Sequence, residues 1–388
     1  MNIRRILNDE FRRGPLYALR EWNILSQREK ELISGLHDER NVYGIFSPLA
    51  PQSKLTLKVA YHDLALVYLH LAASNLLPHH LTALHEDSLN NAIVRLVIDQ
   101  ILEVKWNGNF VSGVHATEAI FGSRLYGDRN FPNFISILSN QAIEYALHFD
   151  NAEMRMISNK LYTYHTTPWD SSAKRNFNKV KDIRDFVFSG SPGSLFSILN
   201  RDWALINDPA KDYWLGWNRK DFSGTSSSRA DMTIYKLYIS PLIEDLPKAM
   251  SISLPLLTSS NAFSFKVGNS IQGLLRPDKI VAYFDDKSSL LQVAEELKEK
   301  LKDCKAQGVP FTAQIDDDGI LSWGADPPGY IVLEAIEGGS WRCKVTDQIA
   351  LAITQAKSEK LEDDQAIDFI GSKLFLADID VYDWAPLN

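Results

Sequence analysis

Residues 262–305 read AFSFKVGNSIQGLLRPDKIVAYFDDKSSLLQVAEELKEKLKDCK, and this stretch decides the fold class. Two of its segments, AFSFKV at 262–267 and KIVAYFD at 279–285, alternate apolar and polar residues as half-buried β-strands do. From Ser288 to about Lys305 the apolar residues recur at helical spacing instead. A helix that connects two strands of one sheet packs across a face of that sheet. The stretch therefore predicts a sheet with a helix lying on it.

Strand-like alternation continues on both sides of this stretch. MTIYKLYIS at 232–240 precedes it, VPFTAQID at 309–316 follows it, and the final FLADIDVYDWAPLN at 375–388 is predicted as a closing strand and tail. Residues 1 to about 160 instead repeat apolar residues at helical spacing. The sequence therefore predicts an α+β protein, with a mainly helical N-terminal part and a mixed or antiparallel sheet flanked by helices.

A compositional break indicates where two domains meet. A chain of 388 residues exceeds the size at which one hydrophobic core stops growing, so two domains are expected. The small polar residues of SGTSSSRAD at 223–231 are typical of a flexible loop. We therefore predict a mainly helical domain over 1–222 and the α+β domain over 223–388.

The charge balance argues against a general nucleic-acid-binding protein. The chain has a formal net charge of −8 and a pI of about 5.6. Affinity for nucleic acid comes from lysines and arginines that neutralise phosphates, and a chain with this balance lacks the excess. A local basic pocket remains compatible with it.

The cysteines and the N-terminus predict a cytoplasmic protein. The two cysteines, Cys304 and Cys343, match no disulfide framework and no zinc-ligand spacing. The first residues mix acids and bases and lack the apolar run of a signal peptide. The most apolar stretch, 64–77, is too short to span a bilayer. We predict no membrane partner, although export by a needle-type secretion system would leave no cleavable signal.

The common cofactor and metal motifs are absent. The chain has no GxGxxG, Walker A, HExxH or CxxC sequence, so neither a nucleotide cofactor nor a zinc-dependent hydrolase is indicated. The histidines of PHHLTALHED, His79, His80 and His85, have no further ligand to complete a tetrahedral set, and surface or cap roles explain them better. We therefore predict no metal and no cofactor.

Cationic and phenolic side chains share the polar face of the predicted sheet. Because residues two apart on a strand share a face, Lys236 and Tyr238 lie together, opposite the apolar residues between them. By the same rule Lys266 and Tyr283 leave the apolar face of their own strands, and Arg276 stands just before the third strand. If the strands are neighbours, these five residues form a site suited to a phosphate ester. The alternative is an ordinary solvated face of an antiparallel sheet.

The order of these segments resembles a known family. YKLYIS is followed about thirty residues later by SFKV, then by Arg276, a strand that ends in YFD and a long amphipathic helix. The bacterial phosphothreonine lyase effectors are similar: a K-x-H strand, a W-K-V strand, an arginine, a Y-x-K strand and a helix. HopA-type effectors, and HopA-like proteins of lanthipeptide and thioamide peptide pathways, look like a diverged branch. The resemblance covers about 228–314, under a third of the chain.

The resemblance implies a role for each polar residue. Lys266 resembles the general base of the family, and Lys236 and Arg276 resemble its phosphate-binding cations, to which Arg229 is added. Tyr283 resembles a tyrosine that positions the substrate. A lysine is a base only when neutral, which burial and neighbouring positive charge promote.

Two positions depart from the family pattern. Tyr238 stands where the family has its general-acid histidine, and Asp285 stands where its third strand ends in a lysine. The first change leaves protonation of the leaving oxygen to Tyr238 itself, or to His165 from the N-terminal half. The second change weakens the cationic pocket.

The resemblance implies two alternative functions. The first is a phosphoserine/phosphothreonine lyase that eliminates phosphate from a phosphorylated peptide or protein, without a cofactor, to give a dehydroamino acid. Since no kinase motif is present, a separate kinase is the implied partner, and maturation of a ribosomal peptide of the lanthipeptide type is one setting. The second is a non-catalytic, HopA-like effector or binding module that keeps the fold for protein–protein interaction, and tyrosine at position 238 favours it.

Overall fold

The computed structural model describes residues 3–33, 39–50, 55–79, 86–122, 131–150, 152–168, 180–206, 213–221, 233–326 and 339–387. Packing divides the chain into two compact units. Unit 1 comprises Met1–Arg129, Ile331–Glu337 and Asp347–Asp378, and unit 2 comprises Asn130–Tyr330, Gly338–Thr346 and Ile379–Asn388. None of the described helices is long and apolar enough to cross a lipid bilayer.

Unit 1 contains two small antiparallel sheets. Its strands are β1 Glu10–Arg13, β2 Tyr17–Glu21, β3 Val42–Pro48, β4 Lys58–Tyr61, β5 Asn75–Leu76, β6 Leu102–Trp106 and β7 Asn109–Val111. One sheet has the order β5-β1-β6-β7 and the other the order β2-β3-β4. The chain before residue 130 is therefore mixed rather than mainly helical as predicted. Strands of two to seven residues are too short for their alternation to stand out from helical spacing.

The α-helices of both units form a single series. They are α1 Gln27–Ile33, α2 His62–His70, α3 Glu86–Ile98, α4 Thr117–Phe121, α5 Phe134–Leu147, α6 Met154–Tyr162, α7 Val180–Val187, α8 Pro192–Asp202, α9 Leu246–Ser259, α10 Ile271–Leu275, α11 Lys287–Leu301, α12 Trp341–Ser358 and α13 Asp363–Leu376. The closing strand predicted near the C-terminus is wrong, since its first residues end α13. Beyond α13, Ile379 and Pro386 form only an isolated bridge.

Unit 2 is built on a seven-stranded antiparallel sheet. Its strands are β8 Trp203–Leu205, β9 Trp214–Arg219, β10 Ile234–Ile239, β11 Ser264–Gly268, β12 Ile280–Phe284, β13 Ala313–Gln314 and β14 Leu321–Asp326. Their order is β13-β14-β10-β12-β11-β9-β8, and each strand is antiparallel to its neighbours. With helices on this sheet, the predicted α+β class is confirmed.

Helices cover the apolar face of the sheet. One hydrophobic core joins the alternate apolar residues of β10, β11 and β12 to α9, α11 and the helices before β8. The helix predicted from Ser288 is confirmed as α11, and Asp286 caps it by accepting from the backbone N–H groups of Ser288 and Ser289 at 2.8 and 3.1 Å. Burial of this face leaves the opposite face of β10, β11 and β12 to carry the polar residues.

The boundary predicted between residues 222 and 223 lies inside unit 2. Strands β8 and β9 precede that boundary, yet β9 pairs with β11, which follows it. Their aromatic residues, among them Trp203 and Trp217, pack into the same hydrophobic core as β11. The predicted loop 223–231, with Arg229, lies outside the described residues. Strands on the two sides of the predicted boundary therefore pair and belong to one unit. Local composition does not reveal pairing between strands that are distant in sequence.

Candidate functional site

Strand register places the predicted site residues in two adjacent rows. Lys236 on β10 lies opposite Tyr283 on β12. In the next row Tyr238 lies opposite Val281, which lies opposite Lys266 on β11. Because side chains alternate along each strand, both rows belong to the face opposite the one that α9 and α11 cover. The predicted convergence of these strands is thus present.

Lys266 is held between aromatic rings. Its Nζ lies 4.4 Å from the centre of the Trp214 ring and 6.0 Å from that of Tyr283. The side chain of Lys266 is half-buried and makes no hydrogen bond or ion pair with any residue that the structure describes. Burial, and then the positive charge of Lys236, lower the pKa of Lys266 to about 8. The neutral form of this amine is therefore far more populated near neutral pH than that of an ordinary lysine.

Lys236 has a carboxylate partner. Its Nζ lies 2.5 Å from Oδ2 of Asp326, the last residue of β14, and 5.4 Å from the centre of the Tyr283 ring. Gly324 lies opposite Lys236 on β14, and a Cβ there would stand 2.4 Å from the Trp341 ring. The start of α12 thus packs closely against β14 beside Lys236.

Arg276 reaches the same site from the end of α10. That short helix packs against the end of β11 where Gly268 and Gly273 leave no room for a Cβ. The Arg276 guanidinium lies 5.3 Å from the Trp214 ring centre and 4.9 Å from that of Tyr162. Nζ of Lys266 lies beside the same indole ring, so Trp214 contacts both predicted site residues, Lys266 and Arg276.

Asp278 binds two arginines inside the protein. Arg276 donates to its two carboxylate oxygens, both at 2.8 Å, and Nη1 of Arg342 on α12 donates to Oδ2 at 2.8 Å. Burial opposes ionisation of Asp278, yet the guanidiniums of Arg342 and Arg276 hold its pKa well below the usual range. Arg342 also donates to the backbone oxygen of Tyr162 at 2.7 Å. This network fixes Arg276 in place.

The site carries a net positive charge. Four cationic side chains and two carboxylates leave a charge of +2 when Lys266 is protonated; they are Lys236, Lys266, Arg276, Arg342, Asp278 and Asp326. Among the described residues no group of three or more His, Cys, Asp or Glu side chains is placed to hold a metal ion. The arrangement is suited to an anion with two negative charges.

Tyr238 lies beneath the polar face rather than on it. It is 2% exposed and packs with Val281, Val309 and Tyr283. Burial, and then the charge of Asp326, raise the pKa of Tyr238 well above its usual value. The alternation of the strand places this phenol on the same face as Lys236, but the ring is buried against Val309. The predicted place of Tyr238 among the five residues of the phosphate site is therefore corrected to a buried position beneath it.

His165 belongs to a separate group of residues around Gln307 and Lys279. Its backbone oxygen accepts a hydrogen bond from Nε2 of Gln307 at 2.7 Å, and Gln307 in turn accepts from Lys279. Burial and then Lys279 lower the pKa of His165, and Lys266 is not among the groups that shift it. The structure thus associates His165 with Lys279, and Arg229 stays outside the described residues.

Several residues of the site escape sequence reasoning. Asp278 follows Arg276 by two positions, and this spacing is a usable signal for the pair. Arg342 lies 64 residues beyond Asp278, and Tyr162 precedes the sheet altogether. Neither has a local motif, so only the folded chain reveals them.

The chain was compared with protein families, curated proteins and solved structures. No family model matches it, and no curated protein does. The similar solved structures include bacterial effectors and phosphothreonine lyases. An effector protein from Pseudomonas syringae pv. syringae strain 61 is 13% identical, with a TM-score of 0.39 over 65% of this chain and 98% of that chain.

Two phosphothreonine lyases are also similar. The type III effector/phosphothreonine lyase OspF from Shigella flexneri is 15% identical, with a TM-score of 0.26 over 49% of this chain and 88% of that chain. The phosphothreonine lyase effector VirA (SpvC) from Chromobacterium violaceum is 16% identical, with a TM-score of 0.26 over 39% and 75%. At these identities the likeness concerns the fold alone, and the activities are those of the named proteins.

Proposed function

We propose that this protein is a phosphoserine/phosphothreonine lyase that acts on a phosphorylated peptide or protein. The observation that carries the proposal is Lys266, a half-buried lysine whose pKa is lowered to about 8 and which has no carboxylate partner among the residues that the structure describes. Neutral amines of this kind abstract protons, and the cations beside it attract a phosphate dianion. The two requirements of phosphate elimination therefore meet on one face of the sheet.

The proposed reaction needs only the residues of the site. Neutral Lys266 takes the α-proton of the substrate residue, the electrons of that C–H bond form the Cα=Cβ double bond, and the Cβ–O bond breaks. The phosphate leaves with the electron pair of the broken bond and is held by Arg276 and Lys236. The ammonium formed on Lys266 returns the proton to the leaving oxygen, which gives hydrogen phosphate, a dehydroamino acid and the neutral lysine again. No other acid is required.

Mass spectrometry of model peptides tests the proposal directly. The full-length protein is incubated with synthetic phosphothreonine and phosphoserine peptides. We expect loss of phosphoric acid to give a dehydroamino acid, which adds a thiol when one is supplied. Recovery of the free hydroxyl residue would identify a phosphatase and refute a lyase.

The setting of the reaction is part of the proposal. A substrate that is already phosphorylated requires a separate kinase, and a Ser- or Thr-containing precursor peptide would place the protein in ribosomal peptide maturation. Co-expression with candidate kinases and their peptides tests this setting. Dehydration of the peptide only when both proteins are present is the expected result.

The burial of Tyr238 favours a second candidate, a non-catalytic effector or binding module. The phenol at this position does not reach the open face, so a reaction that needed an acid there would fail. In that case phosphopeptides bind without elimination. The same incubation, combined with a binding measurement, separates the two functions.

Replacing Arg276 with alanine is expected to weaken substrate binding and turnover together, by about tenfold or more in each. A cation that meets the phosphate acts in both the ground state and the transition state. The fold should persist, because Asp278 keeps Arg342 as its partner. Steady-state kinetics and calorimetry with a phosphopeptide check this. Arg201→Ala, which removes an exposed arginine paired with Asp202, serves as the control, and an equal loss there would contradict the assignment.

Replacing Tyr238 with phenylalanine is expected to change turnover only slightly, well below the ~10²-fold loss that follows removal of a general acid. The hydroxyl is buried and its pKa is raised, with burial as the main cause. The rate of elimination at saturating phosphopeptide measures the effect. A loss of 10²-fold or more with unchanged stability would show that Tyr238 takes part in proton transfer.

A further inference from the structure

Besides Asp278, a second carboxylate, that of Asp326, stands among the cations of the site. Asp326 ends β14, and its Oδ2 lies 2.5 Å from Nζ of Lys236. Its Oδ1 accepts a hydrogen bond of 2.7 Å from the backbone N–H of Trp341 at the start of α12. Both side chains of the ion pair are largely shielded, with 16% of Asp326 and 9% of Lys236 exposed. Asp326 is therefore a fixed anion at the place where Lys236 would meet a phosphate.

We propose that Asp326 is an internal competitor of the substrate phosphate for Lys236, and that it sets how tightly the site holds its anion. The inference rests on the proposed function, because it concerns the same site. A phosphate that approaches Lys236 must replace or share this carboxylate, and the negative charge of Asp326 repels it. Neutralising Asp326 raises the net charge of the site from +2 to +3 and should strengthen anion binding.

The same carboxylate acts on Lys266. The cations that face Lys266 are Lys236 and Arg276, and the carboxylates are Asp278 and Asp326; the rings of Trp214 and Tyr283 complete its surroundings. Both cations favour the neutral amine and both carboxylates favour the ammonium. Loss of the Asp326 charge should therefore make Lys266 neutral at lower pH. A single change of charge should therefore raise the affinity for the phosphopeptide and lower the pH at which Lys266 becomes neutral.

The test compares Asp326→Asn with the unchanged protein. Asparagine keeps an oxygen that accepts from the Trp341 N–H, and it removes the negative charge. With a synthetic phosphothreonine peptide as probe, calorimetry should show an affinity at least about tenfold higher, the size expected of one unit charge acting across about 10 Å near a protein surface. The acid limb of the pH–rate profile should move to lower pH.

Two further variants keep the test decisive. Asp326→Ser supplies a smaller neutral cap if the asparagine protein does not fold. Asp303→Asn makes the same change of charge at an exposed residue, 3.8 Å from Lys248 and beyond the end of α11, and its affinity should not change.

Each outcome decides a different point. If the unchanged protein binds the peptide, Arg276→Ala binds it less, and the neutral Asp326 variants bind no more tightly, the competitor role is refuted and the proposed function stands. Weaker binding by those variants would instead make Asp326 a residue that positions Lys236, which also refutes the inference. If neither the unchanged protein nor the variants bind the peptide, both proposals fall.

Discussion

Replacing Lys266 with methionine is expected to abolish elimination while leaving phosphopeptide binding nearly unchanged above about pH 8, where the lysine itself is mainly uncharged. The proposed base acts on the α-proton, which is transferred only in the transition state, so its loss lowers turnover rather than affinity. A loss of about 10²- to 10⁴-fold in turnover is expected. Methionine is unbranched and apolar, so it fills the space of the lysine stem without the amine. Single-turnover mass spectrometry and calorimetry with the same peptide measure the two quantities.

The pH dependence of the reaction identifies the base independently. Since burial and Lys236 lower the pKa of Lys266 to about 8, the neutral amine accumulates as the pH rises through that value. The rate should therefore rise with pH up to about 8 and then level off. The second pKa of a phosphorylated residue is near ~6, so the substrate is already a dianion over this range.

A matched variant guards against a general effect of losing a lysine. Lys298 lies on α11, against the opposite face of the sheet, and pairs with Asp317 at 3.5 Å. Lys298→Met should retain the full rate and the same pH profile. Strong elimination by Lys266→Met, or a profile governed by a group near pH 6, would remove Lys266 from the role of base.

Strand alternation was the part of the site that sequence could predict. The pattern of IYKLYI places Lys236 opposite the core, and that of SFKVG does the same for Lys266. The register depends on how the strands pair, and the pairing of β10 with β12 places Lys236 opposite Tyr283. Alternation indicates the face of a side chain because apolar residues that must be buried leave their neighbours on the other face.

Alternation does not tell whether the other face is covered. The pattern places Lys236 and Tyr238 on the same face. Tyr238 is nevertheless buried against Val309, which belongs to a segment distant in sequence. The same limit applies to the arginine network, since Arg342 approaches from α12. Local sequence therefore gave the face and the charges, whereas burial and ion pairing depended on contacts between distant segments.

Unit 1 shows where periodicity fails. Its strand β1 reads EFRR, in which Phe11 is buried and Arg12 pairs with Glu103 on β6. Four residues with one buried side chain do not distinguish a strand from a helix. Only pairing with β5 and β6 makes β1 a strand.

Replacing Asp278 with asparagine is expected to lower the free energy of unfolding by about 3–5 kcal/mol, because it leaves two buried or half-buried arginines without their carboxylate. Asp278 is 3% exposed, and Arg342 is 1% exposed. Water therefore cannot take over the solvation of Arg342. Urea unfolding of the full-length protein, followed by tryptophan fluorescence, measures the loss.

The pH dependence of this loss has a definite sign. Arg342 and Arg276, acting against burial, hold the pKa of Asp278 in the folded protein below its unfolded value of about 3.9. The ionised carboxylate therefore stabilises the fold fully above that unfolded value, and the contribution disappears as the pH falls through the folded pKa. The difference between the two proteins should be constant near neutral pH and shrink only in strong acid. Asp221→Asn, which removes an exposed carboxylate that pairs with Arg219, should change stability by less than ~1 kcal/mol. An equally small effect at Asp278 would mean that the two arginines do not depend on it.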